Sequence, residues 1–150
     1  MSATDNSTPH STDLRVRFYE LDPYGHVNHS VYIQFFESAR VVMLGEVGFG
    51  LDSMLTDDMA LVVIRLSTKF IRPAVLNELL TIETGVIEMG RVRSIWAQRI
   101  VRGSDPIATQ IIEFATTSRD GRPRRTPEGL GAAMERFNVE DDWLGSDDPR

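Results

Sequence analysis

The sequence contains no cysteine, which excludes disulfide bonds, a thiol nucleophile and thiolate metal ligands. No apolar run approaches the length of a membrane-spanning helix, and the polar N-terminus lacks the apolar segment of a signal peptide. A formal net charge of −6 argues against nucleic acid as the main partner, because duplex binding relies on Lys and Arg to neutralise phosphates. These absences predict a soluble, cytoplasmic protein that acts without nucleic acid or membrane.

Two common catalytic motifs are also missing. No Gly-x-Ser-x-Gly elbow occurs, which argues against a serine triad. The glycines between Gly45 and Gly50 follow a helical pattern and lack the third glycine of a dinucleotide-binding fingerprint. Any chemistry must therefore depend on other side chains.

The chain of 150 residues, 41% of them hydrophobic and 25% charged, fits one globular domain. Residues 1–13 are rich in Ser and Thr and are predicted to form a disordered leader. Residues 14–137 are predicted to form the domain. Residues 138–150 are acidic and are predicted to be a disordered tail, with Trp143 and Leu144 as a docking point.

Five segments alternate apolar and polar side chains, as strands do. They span 14–21, 62–71, 80–86, 92–101 and 107–118. From Ser30 onwards apolar residues recur every three or four positions over a wide stripe, which predicts one long buried helix. Residues 127–137 read as a short terminal helix that begins with a proline. The order predicts an α+β domain in which one helix faces a five-stranded antiparallel sheet.

Such a sheet has a second face, turned away from the helix. Four residues make it partly apolar: Val63, Ile71, Ile95 and Ala97. We expect self-association to cover this face.

Polar residues crowd into the loop before the long helix, in the segment Asp22-Pro23-Tyr24-Gly25-His26-Val27-Asn28-His29. A helix N-terminus offers free backbone N–H groups and the positive end of the helix dipole, which suit an oxyanion. Asp22, a few residues upstream, can lie beside a carbonyl group bound there. Although Asp before a turn is often only a turn residue, oxyanion donors together with a carboxylate are what acyl transfer needs.

This segment, continued by the Phe36-Glu37-Ser38-Ala39-Arg40 helix, resembles the signature of the 4-hydroxybenzoyl-CoA thioesterase family of hotdog proteins. Residues 117–127 resemble that family's last strand and turn, so the resemblance spans residues 14–137. It implies a hotdog fold, a sheet wrapped around one helix, and hydrolysis of an acyl-CoA thioester to free acid and CoA. It also implies dimers joined edge to edge, often paired into tetramers, with the site at the dimer interface, and no metal or cofactor.

By position in the motif, Asp22 takes the role of the family's catalytic Asp, as nucleophile or as general base for water. The backbone N–H of His29 takes the role of the helix-start amide that polarises the thioester carbonyl. His26 is a further catalytic candidate, because plant acyl-carrier-protein thioesterases have a similar Asp-x-Asn-x-His segment. Tyr24 stands at the Asn position here, so half of that arrangement is present.

Substrate contacts are expected from the loop, from the start of the helix and from arginines that suit the phosphates of CoA. The candidates are Tyr24, Gly25, Val27, Asn28, Tyr32, Phe36, Arg91, Arg93, Arg122 and Arg124. Asn28 is also a good helix N-cap. Glu37 could be a second carboxylate, although its spacing to Arg40 favours an ion pair.

Three alternatives remain open at this point. One is an acyl-carrier-protein thioesterase that uses His26. A hotdog enoyl-thioester hydratase is disfavoured, because its Asp-x-Asn-Pro-x-His segment places the His five positions after the Asp, whereas His26 lies four positions after Asp22 and the Asn-Pro is missing. A non-catalytic acyl-CoA-binding protein is disfavoured by the intact Asp22 and by a leader too short for a DNA-binding module.

Overall fold

The computed structural model describes residues 7–150, so residues 1–6 of the expected disordered leader lie outside the described residues. The strands are β1 (His10–Arg15), β2 (Ala60–Phe70), β3 (Leu79–Met89), β4 (Arg93–Arg102) and β5 (Asp105–Thr117). The α-helices are α1 (His29–Glu46), α2 (Leu51–Thr56) and α3 (Glu128–Met134). Short 3₁₀ turns lie at Phe18–Glu20, Glu135–Phe137 and Gly145–Asp147.

The five strands form one sheet in the order β1-β3-β4-β5-β2, and every neighbouring pair is antiparallel. The predicted five-stranded antiparallel sheet is therefore confirmed. β1 and β2 are the two edge strands. Because β2 has no neighbouring strand on its outer side within residues 7–150, its backbone groups at that edge are open to pairing.

Helix α1 packs across one face of the sheet. Its apolar stripe buries Tyr32, Phe35, Phe36, Ala39 and Met43 against strand residues such as Leu80, Ile82 and Ile100. The helix begins where the side chain of Asn28 accepts a hydrogen bond from Ser30 N–H at 3.0 Å. The long buried helix is confirmed, and it faces the sheet as predicted.

The alternation of apolar and polar residues placed the first strand wrongly, at residues 14–21. It begins at His10, because residues 10–13, which have few apolar side chains, are held by the backbone ladder to β3. It ends at Arg15, after which Phe18–Glu20 turns. Glu20 ends the extended segment because its carboxylate accepts from Arg17 N–H at 2.7 Å and pairs with the Arg17 guanidinium at 2.8 Å.

Helix α2 was not predicted, since the glycines before it indicated a loop. The helix has six residues and buries only Met54, too few for a helical period to be visible in the sequence. α3 and the 3₁₀ turn after it match the predicted terminal helix, with Pro127 just before the first helical residue instead of at it.

The C-terminal segment does not trail from the domain. Val139 N–H donates to Val86 O at 3.0 Å, beyond the point where β1 stops pairing with β3. Gly85 permits this approach, because a Cβ there would lie 2.5 Å from a Val139 methyl group. The expectation of a disordered tail is wrong, because an apolar pair farther along gives it something to bury.

That pair is Trp143 and Leu144, and it covers the sheet face opposite α1. Leu144 is buried together with Ala97 and Ile111, and Trp143 and Ile95 pack against them. The expected apolar second face is thus real around Ala97 and Ile95, but the chain's own tail covers this part of it. Val63 faces a cavity on the helix side instead.

No helix formed by residues 7–150 is long and apolar enough to span a membrane.

Candidate active site

The loop between β1 and α1 is fixed to the rest of the domain by backbone hydrogen bonds. Val27 N–H donates to Ala74 O at 2.9 Å, and Asn28 N–H donates to Glu20 O at 2.9 Å. Gly25, with φ of +81°, closes a turn in which its N–H donates to Asp22 O at 3.1 Å. Glycine adopts this left-handed backbone conformation without strain. Asp22 is therefore carried on a defined loop at the end of the sheet where β2 ends.

One oxygen of the Asp22 carboxylate is held by the loop itself. Oδ1 accepts from Tyr24 N–H at 2.8 Å and from His26 N–H at 3.2 Å. Among residues 7–150, Oδ2 forms no hydrogen bond. Two amides therefore orient the carboxyl group and leave one oxygen free to act on a ligand.

The start of α1 leaves a backbone donor free on His29, a residue that lines the same cleft as Asp22. The N–H of Ser30 is used by the Asn28 side chain, and the N–H of Val31 donates to Asn28 O at 2.9 Å. Within the described part of the chain, His29 N–H has no acceptor. This unpaired N–H at the positive end of an 18-residue helix can stabilise an oxyanion.

Asp22, His26 and His29 open onto one cleft of about 290 Å³. The remaining wall consists of Val27, Tyr32, Phe70, Ile71, Arg72 and Pro73. Tyr32 ties the two sides together, because its hydroxyl oxygen accepts from Ala74 N–H at 3.0 Å. Burial raises the pKa of Tyr32, so it remains a neutral phenol. No cluster of three potential metal ligands occurs within residues 7–150.

The profile of a family described as the thioesterase superfamily matches residues 24–109. The matched segment runs from the turn beside Asp22 through α1 and most of the sheet, more than half of the chain. The chain belongs to the thioesterase superfamily. The fold is the hotdog fold predicted from the sequence, a five-stranded antiparallel sheet against one long helix.

Individual relatives agree with the family match. The chain is 30% identical to the acyl-CoA thioesterase YbgC of Haemophilus influenzae over 129 residues, covering 85% of this chain and 95% of that protein. It is 37% identical to the long-chain acyl-CoA thioesterase FadM of Escherichia coli over 89 residues, covering 59% of this chain and 67% of that protein. The crystal structure of a probable thioesterase from Bartonella henselae superposes with a TM-score of 0.76 at 31% identity, covering 80% of this chain and 100% of that one.

Arg72 was missed by the sequence reasoning, although it lines the cleft of this thioesterase-superfamily domain. It lies two residues after the end of β2 and pairs with Asp105 at 3.1 Å. About half of its side chain is exposed, so its charge is available at the rim of the cleft. The sequence feature that could have indicated Arg72 as a site residue is its position just before Pro73, where the strand pattern ends.

Several predicted substrate contacts lie elsewhere. Phe36 is fully buried in the core, where its carbonyl accepts from Gln98 Nε2 at 2.9 Å, so its assignment to the pocket is wrong. Tyr24 is 84% exposed, and within one chain neither Tyr24 nor Gly25 lines the cleft. Asn28 acts as the helix cap. Tyr24, Gly25 and Asn28 share the loop with Asp22 but do not line the cleft within one chain, whereas Phe36 lies in the core.

The four candidate arginines lie at the other end of the sheet from Asp22. Arg93 pairs in register with Ala115, and Thr117 pairs with Ala60, whereas the cleft lies beyond Phe70. Within one chain, the structure therefore does not bring Arg91, Arg93, Arg122 or Arg124 to the cleft. Each lies near the start of β2 or the hairpin between β3 and β4.

The expected ion pair between Glu37 and Arg40 is not formed. Arg40 turns inward and donates to Gln98 Oε1 at 2.7 Å, while Glu37 remains exposed. Arg40 lies on the wall of a second, apolar cavity of about 360 Å³ between α1, α2 and β2, at the Ala60 end of the strand.

Proposed function

We propose that this protein hydrolyses an acyl-CoA thioester, with Asp22 as the reacting carboxylate and His29 N–H as the oxyanion donor. The observation that carries the proposal is that an oriented Asp22 with a free oxygen and His29, whose N–H is unpaired within the described residues, line one cleft. Family membership and relatives named as acyl-CoA thioesterases support the same activity.

The reaction needs a donor for the carbonyl oxygen and a base or nucleophile for the carbonyl carbon. The thioester oxygen accepts from His29 N–H, and negative charge develops on it as a new C–O bond forms. Asp22 either attacks the carbon itself, giving an anhydride that water then opens, or removes a proton from the attacking water. In both routes the C–S bond breaks and the CoA thiolate leaves, taking up a proton.

The backbone of His26 supports this assignment of roles. Its N–H orients Asp22 at 3.2 Å, and its imidazole is exposed on the same cleft. A catalytic imidazole remains the basis of the alternative, hydrolysis of an acyl-carrier-protein thioester. We favour CoA because arginine side chains at the cleft and near the start of β2 suit its phosphates.

We further propose that two copies pair through β2. This edge strand of 11 residues exposes apolar side chains, among them Val62, Ile64, Leu66 and Phe70. A long, apolar, unpaired edge is unusual in a stable protein, and a second copy of the chain is the occupant that matches it in length. Since Trp143 and Leu144 cover the opposite sheet face, the dimer, not a face-to-face tetramer, is the expected assembly.

The symmetry of this dimer has a consequence for the site. A two-fold axis perpendicular to the sheet pairs the two β2 strands antiparallel, so the Phe70 end of one lies beside the Ala60 end of the other. The cleft of one subunit then faces the apolar cavity of its partner. The partner's segment 118–125, which follows Thr117, also comes near this cleft and can contribute Arg122 and Arg124.

A panel of acyl-CoA and acyl-carrier thioesters, assayed for release of free thiol, tests the proposed function. We expect release from acyl-CoA substrates, with the carrier-protein thioesters slower. Consumption of an enoyl-CoA without thiol release would identify a hydratase instead. Binding of acyl-CoA without either reaction would identify a sensor.

A further inference from the structure

The second cavity holds a buried cation. Its walls are mostly apolar side chains of α1, α2 and β2, among them Leu44, Met54 and Met59. Arg40 lies on this wall with only 7% of its surface exposed. A volume of about 360 Å³ lies in the range of small-molecule sites in proteins.

Arg40 has neutral partners in place of a counter-ion. Its Nη1 donates to Gln98 Oε1 at 2.7 Å and to Gln110 Oε1 at 3.2 Å. Among residues 7–150, no carboxylate lies within 4.0 Å of its guanidinium group. Burial lowers the pKa of Arg40 to about 10, so the group remains protonated at neutral pH. A buried charge is normally paired, which makes this arrangement unusual.

The two glutamines that hold Arg40 are themselves fixed. Gln98 Nε2 donates to Phe36 O and to Thr84 Oγ1, both at 2.9 Å. Gln110 Nε2 donates to Thr68 Oγ1 at 2.9 Å. Both amide oxygens are therefore oriented toward Arg40, and the guanidinium is held in place before any ligand arrives.

Trp96 also contributes to this wall. It is fully buried, and its indole Nε1–H has no hydrogen-bond partner within the described residues but is not accessible from the cavity. Arg40 is therefore the charged donor that the cavity offers to an anion, and the carboxylate on its lining is that of exposed Glu37.

We propose that this cavity binds the distal end of an acyl chain that carries a carboxylate, and that Arg40 makes the enzyme prefer such ω-carboxyacyl thioesters. The inference rests on the proposed function, because the dimer described above brings this cavity to the partner's Asp22 cleft. The carboxylate accepts from the Arg40 guanidinium, while the methylene chain contacts the apolar wall. Burial lowers the pKa of Arg40, and the negative charge of exposed Glu37, which also lines the cavity, raises it and helps to keep Arg40 charged.

Kinetics with matched substrates test the preference. The suberyl (7-carboxyheptanoyl) and octanoyl thioesters of CoA have the same number of acyl carbons and differ in the distal carboxylate. We expect wild type to prefer the suberyl thioester in kcat/KM by about ten- to a hundredfold, the range for a charge-assisted hydrogen bond. Arg40→Met should remove the preference while octanoyl-CoA is still hydrolysed. Arg40→Lys should restore part of it. Arg15→Met, a surface substitution on β1, is the matched control and should leave the preference unchanged.

Ligand binding tests the site without catalysis. In Trp143→Phe, Trp96 is the remaining tryptophan of the chain, so its fluorescence reports the cavity. Titration with octanedioate should give about tenfold tighter binding than titration with octanoate, and adding Asp22→Asn should not change this ratio. Equal affinities for the two acids, or a ratio unchanged by Arg40→Met, would overturn the proposal while leaving thioester hydrolysis intact. Absence of hydrolysis with selective octanedioate binding would refute the proposed function and leave the anion site standing.

Discussion

The backbone N–H of His26 donates to Oδ1 of Asp22 across 3.2 Å, in a loop that also supplies the Tyr24 N–H at 2.8 Å. Because an asparagine oxygen can accept the same two bonds, Asp22→Asn should keep the loop and the fold. It should nevertheless lower kcat by about 10²-fold or more, since the amide cannot act as base or nucleophile. Thiol release and thermal unfolding measured on the same preparation check both parts.

Asp142→Asn, an exposed substitution in the C-terminal segment, is the control for this experiment. It should leave both turnover and thermal unfolding unchanged. If Asp22→Asn turned over substrate at nearly the wild-type rate, Asp22 would be only a turn residue. His26 and Glu37 would then be the next side chains to test.

The arginines near the start of β2 give a test of the shared site. Replacing Arg122 and Arg124 together by Ala should raise KM for acyl-CoA more than it changes kcat, because phosphate contacts bind ground state and transition state alike. Arg91→Ala with Arg93→Ala is the matched control. The hairpin that carries these two lies farther from the β2 edge, so the increase in KM should be smaller. A larger increase in KM for the Arg91 and Arg93 variant than for the Arg122 and Arg124 variant would contradict the proposed dimer geometry.

The free edge of β2 should control assembly. Ile64 is 45% exposed and lies at the register shift of the β2–β5 ladder. Ile64→Lys should place a charge at the proposed dimer contact and weaken dimerisation by about tenfold or more, with activity falling as dimers dissociate. Leu79→Lys, a change of similar exposure on β3, should leave the dimer intact. Light scattering over a dilution series distinguishes these outcomes, and an unaffected dimer in Ile64→Lys would exclude this interface.

The C-terminal segment should prevent further association through the outer sheet face. Arg99 lies over the Trp143 ring at 4.3 Å, and Leu144 is buried against Ala97 and Ile111. Leu144→Ala should lower the free energy of unfolding by about 2–5 kcal/mol, the usual cost of truncating a buried leucine. Removing residues 140–150 should expose this face and produce species larger than the dimer. Unchanged mass after the truncation would show that the tail has no such role.

Acid should release the end of the tail. The Arg150 guanidinium lowers the pKa of the Asp148 carboxyl by donating a hydrogen bond to it, at 2.7 Å. A carboxyl group with a lowered pKa in the folded state stabilises it at neutral pH, and this contribution is lost as pH falls below the ordinary value near 3.8. Trp143 fluorescence in Trp96→Phe should therefore change in that acid range. In Arg150→Met the fluorescence change should begin at higher pH, because the pKa of Asp148 is no longer lowered. Identical pH curves with and without Arg150→Met would contradict this role of Arg150.

The candidate residues of the site were readable from the sequence because they lie in one short segment. Asp22, His26 and His29 lie within eight positions of each other, and the loop closes them onto one cleft through bonds between near neighbours. The helix was equally readable, since its apolar stripe is long enough to show a period. Helix α2 was not, because six residues with one buried side chain carry no periodic signal.

The surroundings of that site depend on contacts between distant segments. Arg40 and Glu37 have the spacing of a surface ion pair, yet the packing of α1 on the sheet turns Arg40 toward Gln98 and Gln110, about sixty and seventy positions away. The acidic tail has the composition of a disordered segment, yet two apolar residues suffice to dock it where the sheet offers Ala97.

The sequence by itself determined the fold class, the family and the Asp22 loop, since those follow from local periods and a local motif. Only the tertiary structure decided which side chains lie in the core, which charge is buried and which sheet face is covered, because each depends on what another part of the chain places beside it.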